Sequence, residues 1–150
     1  MHQVFVSIGS NINPKENIKN VKVFLDGLFD CIYSKLYQTK AEGFEGNNFV
    51  NCVVGFKTNL LVAELQKHLK QIELKMGRTE DQKGMTNRVI DLDIILYGDH
   101  VFEEDGFAIP SKDIEDYLFV LEPLAEIAGE LSHPVSKIPF SELLKQLKAD

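Results

Sequence analysis

Two hydrophobic periods alternate along the chain. Val4, Phe5, Val6 and Ile8 form a short apolar run that Gly9, Ser10 and Asn11 close with turn formers, so it reads as a strand. Ile18, Val21, Phe24, Leu25 and Leu28 then recur at helical spacing behind Pro14, with Asn13 in a capping position. A helix is expected over Pro14–Leu28. Residues 32–38 and 49–58 read as two further strands. Between them, residues 39–48 carry Gly43 and Gly46 and few aliphatic side chains, and read as a loop. Leu61, Leu65, Leu69, Ile72 and Met76 predict a second amphipathic helix, which Gly77 is placed to stop. Residues 78–87 form a second polar loop, and residues 89–97 a strand rich in aliphatic and β-branched side chains. Asp99-His100 marks a turn, and Val101-Phe102 is a candidate start of a return strand. Pro110, Ser111 and Asp113 introduce a short helix. Residues 118–127 and 140–147 read as helices separated by a break at His133-Pro134.

The predicted order is β-α-β-β-α-β followed by helices. It implies an α+β fold close to a ferredoxin-like βαββαβ sandwich: a mainly antiparallel sheet, two long helices on one face, and additional C-terminal helices. Neither repeats nor linkers interrupt the pattern, so residues 1–150 are expected to form a single domain. The loops at 39–48 and 78–87 have the composition of mobile lids.

Composition narrows the picture. The chain has 150 residues, 44% of them hydrophobic, enough for a sizeable core. The net charge of −7 argues against a general nucleic-acid binder, while leaving room for a nucleotide held by a few placed cations. Cys31 and Cys52 sit among apolar neighbours and read as reduced packing residues. The N-terminus enters a strand without a basic and apolar leader, and no apolar run reaches the length of a membrane span. A cytoplasmic protein is therefore expected.

One segment carries candidate chemistry. In Arg88-Val89-Ile90-Asp91-Leu92-Asp93-Ile94-Ile95-Leu96-Tyr97-Gly98, two carboxylates stand two residues apart on an otherwise apolar strand. Side chains at that spacing share a face, and like charges that close repel, the more so when buried. A divalent cation resolves the conflict, and hard oxygen ligands suit Mg²⁺. Arg88, three residues before Asp91, is placed to hold an anion beside the metal. The combination suggests phosphoryl chemistry on a nucleotide. A paired Asp motif on an edge strand can also be a plain solvated face. The apolar flanks favour a buried strand in which the acidic pair is the polar insertion.

Beyond this segment, Ile8-Gly9-Ser10-Asn11, Tyr37-x-Thr39, Phe49-x-Asn51, Ile72-Glu73 with Gly77-Arg78, and Pro123-Leu124 with Glu126-Ile127-Ala128 occur in a fixed order. Together with Arg88-x-x-Asp91-Leu92-Asp93-Ile94, they resemble the signature of the 6-hydroxymethyl-7,8-dihydropterin pyrophosphokinase family over nearly the whole chain. The resemblance implies transfer of pyrophosphate from ATP to the pterin hydroxymethyl group, leaving AMP, in folate biosynthesis. It implies that Asp91 and Asp93 hold two Mg²⁺ ions. Arg78 and Arg88 match the family's catalytic arginines, whose forked donors suit phosphate charge. Thr39, Gly43, Asn51 and Phe119 match its pterin pocket, and Phe49 stands there where the family commonly has Tyr. Glu73 and Lys112, with the two arginines, fall on the nucleotide side. The family's members usually act as monomers on small molecules, without nucleic acid or membrane partners.

The chain departs from the pattern mainly around the nucleotide. Glu80 stands where a second basic residue is usual, and Met85 where the lid commonly has Trp. Ser111-Lys112 replace a His-Tyr pair, and Tyr117 replaces an arginine. An active pyrophosphokinase is the leading expectation. A pterin-binding relative without turnover and a kinase for a different small heterocycle remain open beside it.

Overall fold

The computed structural model describes residues 1–39, 49–77 and 89–149. Strand β1 (His2–Ser10) leads into helix α1 (Pro14–Leu28), then two short strands, β2 (Ile32–Tyr33) and β3 (Tyr37–Thr39). The long strand β4 (Phe49–Thr58), helix α2 (Val62–Lys75) and strand β5 (Asp91–Tyr97) follow. A hairpin of β6 (Phe102–Glu104) and β7 (Phe107–Ile109) precedes three helices: α3 (Asp113–Asp116), α4 (Leu118–Ala128) and α5 (Phe140–Ala149). The main sheet runs β2-β4-β1-β5, with β3 also beside β4, and its strands pair antiparallel throughout the described residues. The fold is thus a mixed α+β arrangement on an antiparallel sheet. Among the described residues, no helix is long and apolar enough to cross a membrane.

Both faces of the sheet are covered, each by its own core. On one face Val4, Val6, Ile8, Val50, Cys52, Val54, Leu92 and Ile94 pack against Ile18, Val21 and Leu25 of α1 and Leu65, Leu69 and Ile72 of α2. The two long helices therefore share a face, as their periodicity implied. On the other face Phe5, Val53, Ile95 and Leu96 meet Val120, Leu121 and Leu124 of α4 and Phe140 of α5. Each fully buried aliphatic side chain contributes about 1.5–3 kcal/mol, which makes this packing, more than helix propensity, the main support of these short elements. Cys31 and Cys52 are free thiols, pushed up to about 11 and about 12 by burial, as expected of packing residues.

Four local expectations need correction. The strand expected over residues 32–38 is broken in two. Ser34 Oγ accepts the Val53 N–H at 2.9 Å, and the Lys35 N–H donates to the Glu126 carboxylate, so these groups leave the ladder. The pairing shifts by one residue across the break, the signature of a bulge on an edge strand. The return strand near Val101-Phe102 does not join the main sheet. It forms the β6-β7 hairpin around Asp105-Gly106, both at positive φ, a turn type that suits Asp-Gly. Asn13 occupies the N-cap of α1 in a left-handed conformation and makes no side-chain cap bond. A second bulge lies in β5, where Phe5 faces Leu96 but Val6 faces Ile94, leaving Ile95 as the extra residue. Simple alternation would put Tyr97 on the acidic face; the bulge returns it to the core beside Leu92 and Ile94.

Candidate active site

Strand register brings the polar candidates onto one face. Tyr37 pairs with Asn51, Asn51 with Gly9, and Gly9 with Asp91, so these residues form one row across four strands. The next row holds Val53, Ser7 and Asp93. Val4, Val6, Ile8, Leu92 and Ile94 point into the α1/α2 core, so Ser7, Gly9, Asn51, Asp91 and Asp93 lie on the opposite face. Strands in a sheet are about 4.8 Å apart, which puts Asn51 about 10 Å from Asp91 along the row. The apolar core of α4 and α5 covers Phe5 and Val53 on this face but not the acidic row. Asp91 is half-buried and Asp93 exposed. The acidic pair is therefore not sealed inside the protein, as its apolar flanks suggested. It stands on the open half of a face whose other half is core.

The surroundings hold that row in place. Ser10 is fully buried, and its hydroxyl donates to the Val89 carbonyl, tying the end of β1 to the residues entering the acidic strand. Glu73, on α2, is buried. Its Oε2 accepts the Leu92 N–H at 2.8 Å, fixing the backbone between the two aspartates. Asn51 is also buried, on a central strand, and its Nδ2 donates to Thr39 Oγ1 at 3.2 Å. Gly9 leaves room for the amide: a Cβ there would lie 3.0 Å from Asn51 Oδ1. Phe49 borders the same glycine and is half-buried.

The segment after β7 closes one side. The Ser111 N–H donates to the Ile95 carbonyl at 2.9 Å, using the bulge in β5 as an anchor. Burial, then Asp116 and Asp91, hold the Asp113 carboxyl above the usual carboxylate range, so α3 lies within electrostatic reach of the acidic strand. Lys112 pairs with Glu103 on β6 at 3.2 Å. Both groups are well exposed, and such a pair contributes about 0–1 kcal/mol, so it holds Lys112 only weakly. Phe119 is half-buried on α4, with the Tyr117 ring stacked on it at 4.8 Å and 24°.

Among the described residues, no three His, Cys, Asp or Glu groups are arranged to hold a metal. The donor set of two carboxylates nevertheless fits Mg²⁺, which keeps several waters and takes its remaining oxygens from phosphates. An open acidic face suits such an ion better than a closed cage would.

Comparison with known proteins assigns the chain to a family. Residues 5–129 match the model of the 7,8-dihydro-6-hydroxymethylpterin-pyrophosphokinase family. The chain belongs to that family. The 2-amino-4-hydroxy-6-hydroxymethyldihydropteridine pyrophosphokinase of Aquifex aeolicus is 35% identical over 148 residues, covering 95% of this chain and 90% of that protein. The Haemophilus influenzae protein of the same name is 32% identical, with 97% and 93% covered. The Schizosaccharomyces pombe folic acid synthesis protein fol1 is 34% identical over 95% of this chain, which spans only 20% of that longer protein. A Plasmodium falciparum HPPK-DHPS crystal structure superposes with a TM-score of 0.74 at 14% identity, over 97% of this chain and 43% of the other, which supports the shared fold.

For this member of the pyrophosphokinase family, the structure brings Asp91, Asp93, Asn51, Thr39 and Phe49 onto one open face, with Glu73 behind it. Phe119 lies on α4 and Lys112 beside α3. Arg78, Arg88 and Gly43 lie outside the described residues, as do Glu80, Met85 and most of the two loops. Reading the sequence leaves Gly9 and Ser10 without roles, although the Ile8-Gly9-Ser10-Asn11 motif flags them. It also gives no hint that Glu73 reaches the backbone between the aspartates.

Proposed function

We propose that the chain transfers pyrophosphate from ATP to 6-hydroxymethyl-7,8-dihydropterin, giving the pterin diphosphate and AMP in folate biosynthesis. The observation that carries this reading is the row that sets Asn51 and the Asp91/Asp93 pair on one open face, about 10 Å apart. That span suits a flat heterocycle held at one end and a reacting hydroxymethyl group beside metal-bound phosphates at the other. For AMP to leave, the pterin hydroxyl oxygen must bond to the β-phosphorus. The bond from that phosphorus to the α–β bridging oxygen breaks, its electron pair stays with that oxygen on the departing AMP, and the hydroxyl proton passes to solvent. Asp91 and Asp93 would hold two Mg²⁺ ions, whose chemistry would be to offset phosphate charge and to make the hydroxyl a better nucleophile. Arg78 and Arg88 would stabilise charge on the transferring group, with Glu73 and Lys112 on the nucleotide side. Asn51 offers a donor and an acceptor to the pterin edge. Thr39 orients its amide, Gly43 and Phe49 line the slot, and Phe119 stacks on the ring.

The same reading takes residues 1–150 as one ferredoxin-like domain. The strand order β2-β4-β1-β5 with α1 and α2 as crossovers supports that arrangement. It also takes the protein as a cytoplasmic monomer without nucleic acid or membrane partners. A second reading, pterin binding without turnover, draws support from Glu80, Ser111 and Tyr117, which stand where the family carries basic or histidine side chains. One assay separates them: AMP formation from ATP and Mg²⁺, with and without the hydroxymethylpterin, alongside calorimetric pterin binding. Pterin-dependent AMP is expected. Binding without AMP would replace the first reading by the second, and neither would overturn both.

A further inference from the structure

The segment joining α4 to α5 is organised around one buried imidazole. His133 is 3% exposed. Its Nδ1 accepts the backbone N–H of Val135 at 3.1 Å and, more weakly, that of Ser136 at 3.4 Å. Its own N–H donates to the Ile138 carbonyl and its carbonyl accepts the Lys137 N–H, so the turn closes on the residue itself. A ring nitrogen that accepts N–H groups carries no proton, so the neutral ring bears its hydrogen on Nε2. Nε2 lies 3.3 Å from Glu115 Oε1, and the Phe140 ring packs edge-on against the imidazole. Burial disfavours a second proton on His133, against the pull of Glu115. The contact is a neutral imidazole donating to a carboxylate.

Glu115 belongs to α3, a helix of four residues that cannot hold itself together in water. Two side chains fasten it: Ile114, fully buried in the α4/α5 core, and Glu115, on His133. The orientation of α3 passes directly into the start of α4. The Tyr117 N–H donates to the Asp113 carbonyl at 3.0 Å, and the Tyr117 carbonyl accepts the N–H groups of Val120 and Leu121, both at 3.1 Å. Tyr117 then stacks on Phe119. A rotation of α3 must therefore turn the Tyr117 ring against Phe119.

We propose that His133 is a positioning residue: through Glu115 it holds α3 in the orientation that sets the Tyr117–Phe119 ring pair, and with it the stacking surface offered to a flat heterocycle. In its kinetic consequence this rests on the pterin transfer proposed above. Its structural consequence does not.

The test compares Glu115→Ala, which removes the acceptor, with Glu115→Gln, which keeps an oxygen for Nε2–H. In steady-state assays, Glu115→Ala raises the KM for the pterin about tenfold and changes kcat by less than about twofold, while Glu115→Gln stays within about twofold of wild type in both. In aromatic NMR spectra of the substrate-free protein, the Tyr117 and Phe119 ring resonances move in Glu115→Ala and hold in Glu115→Gln. Unmoved ring resonances in a folded Glu115→Ala protein would overturn the proposal, whatever happens to its melting temperature. Should that variant not fold, ¹⁵N spectra of the wild-type imidazole decide: a proton on Nε2 supports the contact, and one on Nδ1 overturns it. A wild-type protein that makes no AMP refutes the functional reading alone, because the ring resonances still report on His133 and Glu115.

Discussion

The face of the sheet turned toward α4 has two halves built on one plan. In the covered half, Phe5 stands opposite Gly55 on the neighbouring strand; in the open half, Asn51 stands opposite Gly9. In each pair a glycine leaves space for the partner side chain to lie across it. A Cβ on Gly55 would come within 2.7 Å of Phe5, and one on Gly9 within 3.0 Å of Asn51 Oδ1. What differs is the cover. Phe5 and Val53 meet the apolar side chains of α4 and α5, whereas Asn51, Ser7 and Asp93 lie beyond that core. The same local device serves folding where the helical layer extends and, in the proposed function, recognition where it stops. Buried polar groups are tolerated on and behind the open half because each has a partner: Asn51 on Thr39 on the open face, and Glu73 on Leu92 and Ser10 on Val89 behind it.

The sharpest way to break this comparison is to strip one carboxylate from the open half. Asp93→Ala removes one of the two proposed metal ligands from an exposed position. Loss of metal stabilisation on the order of 4 kcal/mol corresponds to a fall in kcat of about 10³-fold. The melting temperature should shift far less than the activity, since the side chain is exposed and stands beside a like charge. Rates of AMP formation and a thermal melt read both sides. A melting temperature that collapses with the activity would mean that the acidic pair is structural.

The opposite result is expected one layer away. Leu121 is 1% exposed in the α4/α5 core. Leu121→Ala should cost about 3 kcal/mol of stability through lost contacts and a cavity, or about 10 °C in melting temperature. Turnover per folded molecule at 25 °C should stay within about twofold. If turnover fell as far as stability, the covered half would be part of the catalytic apparatus and the division would fail.

How much of this is legible in the sequence depends on the range of the interaction. Asp91 and Asp93 announce themselves because period-2 spacing and an apolar strand are local properties. The long helices and most strands follow from the same local periods. The hairpin at Asp105-Gly106 is equally local, although a return strand expected at Val101-Phe102 leaves its turn signal unused. The bulge at Ile95 is different. It depends on how β1 and β5 settle against two cores at once, and no single-strand pattern encodes it. Glu73 looks like any helix-surface carboxylate until α2 is laid against β5. His133 and Glu115, eighteen residues apart, meet only because α4 and α5 fold back on each other. Lys112, expected toward a phosphate, rests on Glu103 because the unpredicted hairpin brings that carboxylate to it.

The finest test exchanges the two glycines for alanine. Gly55→Ala drives a methyl group into Phe5, whose ring is held by the surrounding core, and overpacking of this kind costs about 1–3 kcal/mol. Its effect should appear in the melting temperature and leave the pterin KM within about twofold. Gly9→Ala meets the end of an amide that needs to shift by only a few tenths of an ångström. The strain on the fold is correspondingly small, but the shift moves the Asn51 donor and acceptor from where the ligand edge needs them. A rise of about three- to tenfold in the pterin KM is expected, equivalent to about 0.7–1.4 kcal/mol, with stability nearly unchanged. Measuring both constants in both variants gives four numbers. If the two substitutions shift stability and KM alike, the covered and open halves are not functionally distinct. If each moves only its own quantity, the boundary between core and site runs along β1, between Phe5 and Gly9.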